Sequence, residues 1–228
     1  WGKYIRDMLG RYGVTEGLVL DLGCGTGTMT EILAGYGYDM IGVDDSEDML
    51  ELAMDKRLKS GHDILYLMQD MREFELYGTV RAVVSICDSM NYILDYGELV
   101  QVFSLVNNYL DPGGIFIFDL NTEYKYREIL AQSTIAEDRE ESSFIWDNDY
   151  DETERINEYD LTLFIKEDGD LYRKYRETHF QRAYTLDEAA AAAKEAGMEF
   201  VAAYDAFTRE APCETSERIY IIVREHGK

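Results

Sequence analysis

The stretch Val19-Leu20-Asp21-Leu22-Gly23-Cys24-Gly25-Thr26-Gly27-Thr28 carries the most chemical content in the chain. An aliphatic run takes in an acid, glycines then alternate with other residues, and helical spacing begins at Thr28. Glycines permit positive φ and close approach of a ligand to the backbone, and a helix N-terminus offers free N–H groups. The stretch therefore reads as a nucleotide-type binding loop. A dinucleotide site would carry G-x-G-x-x-G and rest a pyrophosphate on the helix N-terminus. Here the spacing is G-x-G-x-G, with Thr28 where the third dinucleotide glycine would stand. A ligand without phosphate needs another charged partner, and the Asp21 carboxylate can pair with an amine. Asp44 lies 17 residues beyond Gly27. It ends the next aliphatic run, where a carboxylate can accept hydrogen bonds from both hydroxyls of a ribose.

The loop, Ile41-Gly42-Val43-Asp44 and Gln69-Asp70-Met71 resemble, in order, the motifs of class I S-adenosylmethionine-dependent methyltransferases. The resemblance is firm over residues 18 to 120. It implies S-adenosylmethionine as cofactor, with the methionine moiety along Asp21, Gly23, Cys24, Gly25 and Gly27. It also implies the ribose at Asp44, with Asp45 and Met49 beside it, and the adenine edge at Asp70 and Met71. Asp45 departs from the family, which usually has an apolar residue there. The segment Ile86-Cys87-Asp88-Ser89-Met90-Asn91-Tyr92-Ile93-Leu94 holds the position that borders cofactor and acceptor, which adds Cys87 to the cofactor set and Asp88, Asn91 and Tyr92 to the acceptor set. It lacks the proline pair of DNA amino-methyltransferases. It is similar instead to small bacterial enzymes related to sugar-amine and glycine N-methyltransferases, as is Phe118-Asp119-Leu120-Asn121-Thr122.

A sulfonium is an activated methyl donor, so in-line displacement needs mainly orientation and an available lone pair. A hydroxyl acceptor would benefit from a general base. His179 is the candidate, with Asp88 and Tyr92 as further catalytic residues, because His62 reads as a loop residue and His226 as part of an exposed tail. Strand alternation puts His179, Gln181 and Ala183 on one face. Each of these residues also has a plain role open to it: Asp88 as a turn cap, Asn91 and Tyr92 as packing, His179 as a surface strand residue. Tyr4 and Tyr12 read as packing of an amphipathic N-terminal helix. The expected function is methyl transfer to a small-molecule acceptor through an amine or hydroxyl. Two further readings stand beside it: a non-catalytic protein that binds S-adenosylmethionine to control a partner, and a methyltransferase acting on RNA or protein.

These residues need elements to hold them. Aliphatic and β-branched runs at Leu18 to Leu22, Asp39 to Val43, Ile64 to Met68, Arg81 to Ile86 and Ile115 to Asp119 predict buried strands. Thr28 to Gly35, Ser46 to Lys59 and Tyr96 to Leu110 have helical spacing, Ser46 is a natural N-cap, and Asp111-Pro112-Gly113-Gly114 predicts a turn. Residues 142 to 184 alternate with period two around a hairpin turn at Glu167-Asp168-Gly169-Asp170. Thr185 caps a helix running to Gly197, and strands follow at Glu199 to Ala206 and Arg218 to Val223. The expected fold is α/β: a Rossmann-like, seven-stranded, mostly parallel sheet with helices on both faces, plus a small antiparallel β insertion. Residues 1–137 and 185–228 form the core, and 138–184 form an inserted subdomain that caps the acceptor side.

Composition bounds these readings. The 228 residues are 46% hydrophobic and 13% aromatic, enough to bury the core of one folded domain. Against 22 Lys and Arg stand 46 Asp and Glu, a net charge of −24 that disfavours nucleic acid and anionic membranes. The stretch from Glu137 to Asp170 holds 14 acids and three bases, so the excess is concentrated in the insertion. Tyr172-Arg173-Lys174-Tyr175-Arg176 is a basic cluster with interleaved aromatics, read as an exposed strand face that balances neighbouring acids. Cys24, Cys87 and Cys213 have neither disulfide nor metal-ligand spacing, so no metal is expected and a reducing cytoplasm fits. The chain begins at Trp1 without Met or a leader pattern, which leaves open whether N-terminal residues are missing. Monomer and homodimer are both open.

Overall fold

The computed structural model describes every residue except Asp168 and Asp170. Helix α1 (Gly2–Arg11) leads into β1 (Leu18–Leu22), α2 (Thr28–Gly35), β2 (Asp39–Asp44), α3 (Glu47–Ser60), β3 (Ile64–Met68), β4 (Val80–Ser85), α4 (Tyr96–Tyr109) and β5 (Leu110–Asn121). Four strands follow, β6 (Thr134–Asp138), β7 (Ser142–Asp151), β8 (Ile156–Lys166) and β9 (Tyr172–Arg182), before α5 (Leu186–Glu195), β10 (Met198–Asp205) and β11 (Arg218–Glu225).

The main sheet has the order β10-β11-β5-β4-β1-β2-β3, in which β11 runs against both its neighbours and the other strands are parallel. Strand alternation sorts side chains into two layers. Leu20, Leu22, Val83, Phe116, Phe118 and Ile221 share one buried cluster with α4 and α5 residues such as Phe103 and Ala192. Val19, Ala82, Val84, Ile117 and Ile222 share another with Ile5 and Leu9 of α1 and Leu33 of α2. Because both faces are covered, the central strands read as continuous aliphatic runs. Among the described residues, no helix is long and apolar enough to cross a membrane.

The predicted turn at Asp111-Pro112-Gly113-Gly114 lies inside β5 as a break in pairing. Leu110 pairs with Val80 and Ile115 with Ala82, so four residues of β5 face a single residue of β4. Gly113 takes φ +71° there, and its N–H donates to Glu225 Oε2 at 2.7 Å.

The second sheet has the order β6-β7-β8-β9 and is antiparallel throughout. It starts at Thr134, earlier than the alternation signal, because β6 is exposed along its whole length and has no apolar period to betray it. The turn expected between β8 and β9 falls on Asp168 and Asp170, outside the described residues. Cross-strand register places Trp146, Leu161 and Glu177 in one row, Asn148, Tyr159 and His179 in the next, and Tyr150, Asn157 and Gln181 in a third. All three rows lie on the same face of the sheet. Asn157 and Gln181 are buried, so this face turns toward the core. Arg173, Lys174 and Arg176 are exposed on β9, and Arg173 and Arg176 pair with Glu167 and Asp160. The basic cluster thus balances neighbouring acids as expected.

Candidate active site

Chain order runs β1, β2, β3 outward on one side of the sheet, while β4 lies on the other side of β1. At such a switch point the connections leave opposite faces, and a crevice opens at the carboxyl ends of β1 and β4. The glycine loop and the turn after β4 both lie there.

Gly23, Gly25 and Gly27 have φ of +76°, +52° and +69°. The N–H groups of Gly23 and Cys24 both donate to the Val43 carbonyl, at 2.8 and 3.0 Å, which hangs the loop on β2. Lys56 of α3 donates to the Thr26 carbonyl at 2.8 Å and to Thr28 Oγ1 at 2.7 Å. Asp44 accepts from the Gly25 N–H at 2.7 Å and from the Ser46 N–H at 3.0 Å, one bond to each oxygen. A carboxylate has roughly four acceptor sites, so Asp44 retains lone pairs for a ligand. No atom lies within 4 Å of where a Gly25 Cβ would point. That open space beside a half-buried carboxylate fits a nucleoside laid along the loop.

Asp70 follows β3 and accepts from Arg72 Nε at 3.0 Å and Nη2 at 2.6 Å; these side-chain bonds hold its carboxyl below the usual range. Burial and the neighbouring Asp44 and Asp70 charges raise Asp45. The predicted acids therefore do gather at the ends of β2 and β3. Met71 reaches the loop, its Cε 3.2 Å from the Cβ position of Gly23. Met49 is exposed on the first turn of α3.

Two loop residues are oriented differently from expectation. Asp21 is not an open carboxylate, because it shares the face of Val19, which α1 and α2 cover. It is 1% exposed and accepts from Thr30 Oγ1 at 2.6 Å. Burial pushes its carboxyl up to about 6. The Cys24 thiol is likewise turned inward, 2.9 Å from the Cβ position of Gly42, and burial raises it. Cys24 reaches the loop surface through its backbone alone.

After β4, Cys87 and Asp88 both adopt positive φ, +64° and +59°, and Cys87 is exposed. A 3-10 turn, Ser89–Tyr92, follows. Asp88 Oδ1 accepts from Arg218 Nη2 and Oδ2 from Gln181 Nε2, both at 2.6 Å. Asp119 accepts from the Asp88 N–H at 2.9 Å and pairs with Arg218 Nη1. Asn91 is not a pocket residue. It is fully buried, donates to the Asn121 and Arg182 carbonyls at 3.1 and 2.8 Å, and accepts from the Asn121 N–H at 3.0 Å. An amide with all these bonds made ties the turn to β5 and β9.

Tyr92 and His179 are brought together. The Tyr92 hydroxyl lies 3.4 Å from His179 Nδ1 and also bonds the Tyr159 hydroxyl. Tyr159 stacks on His179 at 4.7 Å between centroids, and Trp146 meets Tyr159 edge-on at 5.4 Å. Glu177 Oε2 sits 3.2 Å from His179 Nε2. Burial raises both tyrosines. Trp146, Tyr159 and Arg218 were not singled out from the sequence, and Gln181 was placed only on the face of His179. Cross-strand register sets Tyr159 opposite His179 and Trp146 in the row of Glu177, and alternation within one strand does not reveal it. Arg218 opens the final strand and has no local mark. Tyr4 and Tyr12 pack as expected, their hydroxyls meeting the Thr208 carbonyl and the Tyr204 hydroxyl at 3.0 and 2.6 Å. No acid, cysteine and histidine cluster suited to a metal occurs among the described residues.

A methyltransferase domain family matches residues 19–114. A Geobacillus sp. (strain WCH70) protein designated a methyltransferase is 34% identical over 99% of this chain and 92% of its own length. The solved structure of an S-adenosylmethionine-dependent methyltransferase from Clostridium acetobutylicum ATCC 824 superposes with a TM-score of 0.92 at 28% identity, covering 100% of this chain and 91% of that one. A shorter match, 37% identical over 44% of this chain and 41% of the relative, is to dTDP-3-amino-3,4,6-trideoxy-alpha-D-glucopyranose N,N-dimethyltransferase of Streptomyces venezuelae. With 34% identity over nearly the whole length of a methyltransferase relative and the same fold as a solved S-adenosylmethionine-dependent methyltransferase, the chain belongs to the class I S-adenosylmethionine-dependent methyltransferases, and its cofactor is S-adenosylmethionine.

Proposed function

We propose that the enzyme methylates an amine of a small-molecule acceptor seated between the Ser89–Tyr92 turn and the inner face of the second sheet. The observation that carries this reading is the cluster of Tyr92, Tyr159 and His179 at that junction, with Glu177 behind the histidine. Aromatic faces beside a carboxylate attract a cationic amine before reaction and its methylated product after it. The amino-sugar N,N-dimethyltransferase among the relatives supports an amine over a hydroxyl.

S-adenosylmethionine supplies an electrophilic methyl group when bound. In this proposal the Gly23–Gly27 loop holds the methionine portion, Asp44 accepts from the ribose hydroxyls, and Asp70 and Met71 border the adenine. Asp45, Met49 and the Cys87 backbone complete the crevice wall. Tyr92 and Tyr159 orient the acceptor. The proton that the ammonium must lose before its lone pair can attack passes to His179 Nδ1 through the Tyr92 hydroxyl, which takes it as it gives up its own, while Glu177 at Nε2 fixes the ring. Asp88 is ion-paired with the Arg218 guanidinium, which makes its carboxylate a poor base, so it shapes the turn instead of moving the proton.

Incubation with methyl-labelled S-adenosylmethionine and a panel of amino sugars, small primary amines and matched alcohols tests this. Amines are expected to release S-adenosylhomocysteine, and His179→Ala to lower kcat by roughly 10²-fold with cofactor affinity retained. Turnover confined to alcohols would overturn the amine reading. A His179→Ala enzyme with unchanged kcat across the pH range would remove the histidine from the proton transfer.

A further inference from the structure

The left-handed pair Cys87 and Asp88 stands between the two halves of the crevice. On one side, Ser89 Oγ donates to the Gly23 carbonyl at 3.3 Å, and the Ser89 Cβ lies 2.9 Å from where a Gly23 Cβ would point. On the other side, Gln181 joins Asp88 to the strand that carries His179 and accepts in turn from Tyr126 Oη at 3.0 Å. Two consecutive non-glycine residues at positive φ persist only where the surroundings over-determine them. Here one side chain does most of that. Arg218, 12% exposed, places one Nη on Asp88 and the other on the fully buried Asp119, whose second oxygen accepts the Asp88 N–H. The guanidinium, the two carboxyls and the strained peptide therefore form a closed ring of contacts. The indole of Trp1 lies over the guanidinium at 5.3 Å and shields it from water.

We propose that Arg218 is a positioning residue for cofactor binding: working through Asp88, it locks the Cys87-Asp88 turn against the glycine loop. A planar fork suits this task because a single group must satisfy two carboxylates in fixed directions. Lysine offers one ammonium and cannot reproduce both directions. The proposal rests on the crevice at β1 and β4 being the cofactor site and not on the identity of the acceptor, so it stands or falls independently of the amine reading.

The test is calorimetric titration of the full chain with S-adenosylhomocysteine, alongside thermal melting by circular dichroism. Arg218→Gln and Asp88→Asn are each expected to weaken binding about tenfold, and the double variant to be no weaker than the more affected single, as for residues acting as one unit. Arg218→Lys is expected to recover part of the affinity lost in Arg218→Gln. Wild-type affinity in Arg218→Gln overturns the proposal. So do losses that multiply in the double variant, because Arg218 would then support the fold without acting through Asp88. Should Arg218→Gln fail to fold, Arg218→Lys and Gln181→Leu carry the test. Both are expected to weaken binding several-fold with a native spectrum, and wild-type affinity in both overturns the proposal.

Discussion

At the scale of single residues, Asp21 is the buried group with the clearest consequence. Burial drives its carboxyl up to about 6 although Thr30 donates to it, and burial does the same to Asp119 although Arg218 opposes the rise. A carboxyl whose folded pKa exceeds its unfolded value of about 4 holds more protons when native, so stability falls as pH rises from about 4 to about 6 and levels off above. Asp21→Asn keeps an acceptor for Thr30 and removes the buried charge. It is expected to exceed the wild type in stability at pH 8 by about 1–3 kcal/mol and to converge with it near pH 4, measured by urea unfolding across that range. A gap that does not change with pH would assign the effect elsewhere. The glycines separate folding from binding. A Gly27 Cβ would meet Tyr66 Oη at 2.3 Å and Ala53 Cβ at 2.9 Å, whereas one at Gly25 meets open space. Gly27→Ala should melt well below the wild type. Gly25→Ala should fold at a cost of about 1–2 kcal/mol for its positive φ and yet lose S-adenosylhomocysteine binding in calorimetry. The spacing of these glycines was legible in the sequence. The burial of Asp21 was not legible, because both faces of β1 are covered and alternation alone does not separate a strand-end acid that opens to a crevice from one that packs beneath a helix.

At the scale of elements, caps and aliphatic runs predicted the main sheet because they are local. Ser46 caps α3 by accepting from the Met49 N–H at 3.4 Å, and Thr185 caps α5 by accepting from the Glu188 N–H at 3.1 Å. Glu188 also accepts from the Thr185 N–H at 2.8 Å, closing a capping box, and pairs with Arg155 in the loop between β7 and β8. That small knot joins the second sheet to the core. Thr185→Ala is therefore expected to cost about 1 kcal/mol, and Arg155→Ala to add little beyond it if the two act through the same carboxylate; a double-mutant cycle in urea reads both. What the sequence left hidden was non-local or lacked period. β6 is exposed throughout, and the helix Lys125–Leu130 has wide π-type winding in a segment to which no spacing assigned a helix. The acceptor wall depends on the pairing of β7, β8 and β9. Alternation predicted which residues share a face within each strand, but not which stand opposite one another across strands.

At the scale of the whole molecule, charge is unevenly spread. The net −24 is densest from Glu137 to Asp170, on the sheet that forms one wall of the proposed acceptor site. A potential of that sign raises the local concentration of cations and is screened over about 10 Å at 0.1 M salt. For a cationic acceptor, kcat/KM is expected to fall several-fold between about 50 mM and 500 mM sodium chloride, and for a neutral acceptor to stay flat; stopped assays of S-adenosylhomocysteine release would show it. The sheet order carries a consequence of a different kind, in time. β11 lies between β5 and β10 and delivers Arg218 to Asp88 and Asp119. Chains emerge from the ribosome N-terminus first, so the glycine loop, Asp44 and both strained turn residues are made long before the guanidinium that braces them. A nascent chain would hold two carboxyls side by side with nothing between them. Competence to bind cofactor would then arrive in one step, when the eleventh strand slides into its slot, and half-made enzyme would not draw on the cell's methyl donor.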